Sequence, residues 1–135
     1  MTEKKTDELK TLAVIQPITS FEIPALDLPR AIKFYSALLG KEVVLKNMGG
    51  ESGGVLSSDK GAIIGIIRCS PEYMKPSDQG VNIYLRFEED LDGVIARVEK
   101  NGGRVVVPKM DGGEIGQFAW IIDSEGNRIG LNQPK

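Results

Sequence analysis

The chain has 135 residues, 41% of them hydrophobic and 27% charged, with a formal net charge of -2. That length suits one domain with a single buried core, and the near-neutral charge excludes the clustered Lys and Arg of a nucleic-acid-binding face. No apolar run approaches the roughly 20 residues that a membrane helix requires. No partner of either kind, nucleic acid or membrane, is therefore expected.

Residues 1–14 begin MTEKKTDELK, alternate in charge and lack the apolar stretch of a signal peptide. They are expected to form a flexible solvated tail on a cytoplasmic protein, with the folded domain spanning residues 15–135. The single cysteine, Cys69, permits no internal disulfide and suits a reducing compartment. It follows the apolar run AIIGIIR, which predicts a buried strand residue.

The segment ITSFEIP reads as a strand and leads to Asp27, a good helix N-cap, with Pro29 tolerated in the first turn. Ala31, Phe34, Tyr35 and Leu38 follow the i, i+3, i+4, i+7 spacing of one buried helical face, and Gly40 supplies a stop. Strand candidates follow at KEVVLK, around GGVLS and at GAIIGIIRC. Residues Ser70–Gly80, with their Pro and Ser, form the break between two halves.

The pattern then repeats. VNIYLRF leads to Asp90, and Leu91, Val94, Ile95 and Val98 repeat the helical spacing before Asn101, Gly102 and Gly103. Asp27 and Asp90 lie 63 positions apart, as do Gly40 and Gly103. GRVVVP, GQFAWIID and NRIGLN complete the second half, the last two joined by the turn residues SEG. The order β-α-β-β-β, twice, predicts an α+β protein of two modules, 15–70 and 80–135, whose sheets curl into half-barrels. Lys109–Gly116 (KMDGGEIG) is Gly-rich and is expected to be a mobile loop, with Met110 as an adaptable apolar lid over the cavity. Phe118 and Trp120 share a strand face, and burial tendencies place at least one of them in the core.

FEIPALDLPRAIKFYSALLG and FAWIIDSEGNRIGLNQPK resemble the opening and closing segments of the vicinal oxygen chelate superfamily, the glyoxalase/bleomycin resistance protein/dioxygenase family. Asp27-Leu28, Arg30-Ala31, Phe34-Tyr35 and Leu39-Gly40 carry the first resemblance, and Asp123, Gly126 and Asn127 the second. The resemblance implies a homodimer whose cavity is completed between subunits, and a metal held by one ligand from the first and last strand of each module. At those four places this chain offers Ser20, no donor in Gly61–Ser70, Asn82 and Gly130. It contains no histidine at all. A transition-metal site needs three or four convergent N, S or carboxylate donors, so no metal or other cofactor is expected.

Strand alternation places Ser20, Glu22, Asn82, Tyr84 and Asn132 on the concave face, with Arg86 or Arg128 at its rim. Ser20 and Asn82 are candidate hydrogen-bonding anchors for a ligand, or small polar remnants. Tyr84 is a candidate donor to a ligand oxygen, or a half-buried core residue. Glu22, if desolvated, is a candidate general base; it equally suits an ion pair with Arg86 or Arg128, or an exposed position. Two readings follow: capture of a small organic ligand in the cavity, or a glyoxalase-type lyase or isomerase working through Glu22. A dimeric accessory domain is a third.

Overall fold

A computed structural model describes residues 18–135; the expected tail and its Lys4-Lys5 pair lie outside the described residues. The first module runs β1 (Phe21–Pro24), α1 (Leu28–Leu39), β2 (Val44–Met48), β3 (Glu51–Ser57) and β4 (Ile63–Arg68). The second runs β5 (Tyr84–Arg86), α2 (Leu91–Lys100), β6 (Arg104–Asp111), a 3-10 turn (Gly113–Ile115), β7 (Gln117–Ile122) and β8 (Arg128–Gln133). Each module makes one four-stranded mixed sheet, ordered β1-β4-β3-β2 and β5-β8-β7-β6. In both, the first strand returns parallel to the last, and the other pairs are antiparallel.

The helices form where capping and periodicity place them. Asp27 accepts from the Arg30 amide at 3.1 Å, and Gly40 ends α1 at φ 67°. Asp90 accepts from the Asp92 amide at 2.8 Å to start α2. Ala31, Phe34, Tyr35 and Leu38 of α1 meet Leu91, Val94 and Val98 of α2 in one core, joined by Ile23 and Ile67 of one sheet and Ile121, Ile129 and Leu131 of the other. The core thus belongs to both modules, and each sheet turns one face inward to a helix and the other outward.

Several local expectations are corrected. β2 begins at Val44, not Lys41, and is an exposed edge strand. Cys69 is exposed because β4 ends at Arg68, and its thiol points to the Leu26 carbonyl at 3.7 Å. The expected loop at Lys109–Gly116 is mostly a hairpin: β6 runs to Asp111, and Met110 pairs with Phe118. Neither Phe118 nor Trp120 joins the core. Ala119 and Ile121 take the helix-facing positions of β7, so period-two alternation sends Phe118 and Trp120 outward, where both are half-buried.

Candidate functional site

The β7–β8 turn explains the acidic and amide residues of the closing segment. The Asp123 carboxylate accepts from the backbone amides of Glu125, Gly126 and Asn127, and from the buried Tyr35 hydroxyl of α1. Burial, then the adjacent Asp123 charge, pushes the Tyr35 phenol well above its ordinary value of 10. Glu125 reaches across to the start of α1, where it accepts from the Leu26 and Asp27 amides at 2.8 Å each and from both arms of Arg30. Burial opposes its ionisation, yet the bonds from Arg30, Asp27, Ser124 and Leu26 hold its carboxyl down to about 2. Asn127 donates to the Pro24 carbonyl at 2.7 Å. These side chains join the modules and leave no reactive group free.

On the outward face of the second sheet, strand register sets out a lattice. Arg86, Asn132, Phe118 and Met110 form one row; Tyr84, Gly130 and Trp120 form the next. The Tyr84 ring lies over Gly130, where any Cβ would collide with it. Trp120 Nε1 donates to the Tyr84 hydroxyl at 2.7 Å, and the Arg128 guanidinium sits 5.5 Å from the Trp120 ring centroid. The Arg128 head also donates to the Asp78 and Gly80 carbonyls, so it ties down the inter-module segment.

The candidate residues are dispersed. Ser20 is exposed just ahead of β1. Glu22 is 41% exposed at its side chain and pairs with Arg68 of β4 at 2.7 Å, rather than with Arg86 or Arg128. The parallel pairing of β1 with β4 brings Arg68 there, and Arg68 also holds Glu51 at 2.6 Å. Asn82 is half-buried, its Oδ1 enclosed without a hydrogen-bond partner. Asn132 spends its amide on the Ile115 and Gln117 carbonyls.

Two clefts lie along the seam between the modules, each lined by residues of both. The smaller, about 230 Å³, is lined by Glu22, Pro24, Ser77, Val81, Asn127 and Arg128 among others. The larger, about 540 Å³, is walled by Phe21, Leu56 and Ile64 of the first module and by Tyr84, Arg86 and Phe87 of the second, with Lys41 at the end of α1. Tyr84 and Arg86 therefore share a cleft, whereas Glu22 lines the other, and Ser20, Asn82, Met110 and Asn132 line neither. The apolar wall from β1, β3 and β4 was not evident from sequence, because alternation within one strand does not show which strand ends meet across a seam.

A metal of the kind the fold implies does not match these residues. Ser20 and Asn82 offer a hydroxyl and an amide, the β4 face offers Ile64, Ile66 and Arg68, and the Tyr84 ring covers Gly130. Among the described residues no group of three or more His, Cys, Asp or Glu side chains converges for a metal ion. Among them, too, no helix is long and apolar enough to cross a membrane.

Two βαβββ modules sharing a helical core, with curled sheets open on their outer faces and an apolar cleft on the seam, define an α+β protein of the glyoxalase-fold class. The chain belongs to the Glyoxalase/Bleomycin resistance protein/Dioxygenase superfamily, whose family model matches residues 17–131. It is 31% identical over 118 residues to "Putative glyoxylase CFP32" of Mycobacterium bovis, a match covering 83% of this chain and 43% of the relative. The chain thus spans less than half the length of that curated relative. Among solved structures it is similar to a glyoxalase/bleomycin resistance protein from Albidiferax ferrireducens T118, with TM-score 0.67, 22% identity, and 87% of this chain and 98% of that chain covered. It is also similar to TnmS3, an antibiotic binding protein from Streptomyces sp. CB03234, with TM-score 0.64, 24% identity, and 92% and 100% covered. At these identities the two structures share the fold.

Proposed function

We propose that the protein captures a small organic molecule in the larger seam cleft without the help of a metal. The observation that carries this reading is the cleft itself: about 540 Å³, with an apolar wall of Phe21, Leu39, Leu56, Ile64, Leu85 and Phe87 and with polar groups at Lys41, Ser57, Tyr84, Arg86, Glu88 and Glu89. Small-molecule sites have this character and fall in this size range. An antibiotic-binding protein on the same fold, TnmS3, is consistent with it. The competing reading, a lyase or isomerase with Glu22 as general base, has weaker support. Arg68 holds that carboxylate at 2.7 Å, and Glu22 lines the smaller cleft rather than the larger. A homodimer belongs to the same proposal, since a second copy would shelter the outward sheet faces from water.

Elemental analysis of the purified chain, followed by thermal-shift screening against metals and small organic molecules, tests the reading. Substoichiometric metal, no Tm response to Ni, Zn, Mn or Fe, and a Tm rise with organic ligands are expected. Sedimentation at twice the chain mass is expected alongside. A tightly held stoichiometric metal overturns it.

A further inference from the structure

The charges around the larger cleft are unequally satisfied. Its two acidic side chains are both taken: Glu88 holds Arg86 at 2.8 Å, and Glu89 holds Arg97 at 2.6 Å. The Arg97 interaction draws the Glu89 carboxyl below its ordinary range. Lys41, in the same wall, has no carboxylate within ion-pair distance among the described residues. The cleft therefore carries one positive charge without a countercharge, beside an apolar wall of Phe21, Leu39, Leu56, Ile64 and Phe87. The Tyr84 ring contributes to the wall, while its hydroxyl reaches over Gly130 to Trp120 of β7.

Resting on the capture reading, we propose that this cleft takes an amphipathic monocarboxylate. The apolar body lies against Phe21, Leu56, Ile64 and Phe87; the carboxylate meets the Lys41 ammonium. A cation of the same shape meets no free acid and faces Lys41 itself. A dianion finds a single uncompensated positive charge, with Glu88 and Glu89 close by. Charge complementarity thus selects a single negative charge, and the apolar wall selects the body.

The test is calorimetric titration of the full chain with three naphthalenes of one shape: 2-naphthoate, 2-naphthylmethanol and 2-naphthylmethylamine. Naphthoate is expected to bind about tenfold more tightly than the amine, with the alcohol between them. Lys41→Gln, at an exposed position, is expected to weaken naphthoate about fivefold and leave the alcohol unchanged. Ile64→Trp, which fills the apolar wall, is expected to weaken all three. If the alcohol or amine binds as tightly as naphthoate, or if Lys41→Gln leaves naphthoate untouched, the monocarboxylate assignment is overturned while capture stands. If none of the three binds and the wider screen of organic ligands also fails, both readings fall.

Discussion

Glu125 has no exposed side-chain surface, yet it accepts five hydrogen bonds, two from the backbone at the start of α1, two from Arg30 and one from Ser124. Removing one partner of such a buried charged cluster leaves the others unpaired. Glu125→Ala should therefore cost about 3 kcal/mol in denaturant unfolding, far more than an exposed ion pair contributes. The pH dependence has a definite sign. The folded carboxyl titrates at about 2, below its ordinary 4.5, so its contribution is complete above 4.5 and is lost as pH falls through that interval toward 2. Acid titration of stability should be steeper for the parent chain than for Glu125→Ala across that window; equal slopes would remove Glu125 from the account. The residues SEG announce the turn, and nothing in them announces the contacts beyond it. Glu125 acts on residues 98 and 99 positions away, and local pattern carries no information about that distance.

Among the elements, β8 carries the clearest consequence of a single missing side chain. Gly130 lets the Tyr84 ring lie flat against the strand and reach Trp120, the one tryptophan of the chain. Gly130→Ala should displace that ring, break the Trp120–Tyr84 hydrogen bond and cost about 1–3 kcal/mol, the range for overpacking a filled site. Trp120 fluorescence reports the change directly. In a Tyr84→Ala background the same substitution should cost little, and an undiminished cost there would place the clash elsewhere. Residue order alone singled out Gly130 as the place where the resembled family puts a carboxylate, and Tyr84 as its neighbour on the same face. Burial tendencies put at least one of Phe118 and Trp120 in the core and neither is there: two adjacent phases of β7, Phe118 with Trp120 or Ala119 with Ile121, both read as apolar. The smaller pair faces the helices and the larger pair faces outward.

At the scale of the whole molecule, duplication is a statement about topology and not about independence. The helices and capping acids of both modules were legible because capping and 3.6-residue periodicity are local. The junction was not legible, because it is built from pairs far apart in the chain. Tyr35 of α1 donates to Asp123 of the β7–β8 turn, Asn127 donates to the Pro24 carbonyl, and Arg97 of α2 donates to the Leu38 carbonyl at the end of α1. The core joins Phe34, Tyr35 and Leu38 to Leu91, Val98 and Ile121. A module on its own would expose that apolar face and leave the Asp123–Asn127 turn or the α1 N-terminus without partners. Chains of about 60 residues already bury too little surface to tolerate such a loss. Fragments 18–78 and 79–135, expressed separately, are thus expected to show no cooperative thermal transition by circular dichroism, and to regain one when mixed. A sharp transition in either fragment alone would mean that the module, rather than the pair, is the folding unit, and that the seam clefts lie between two prefolded bodies.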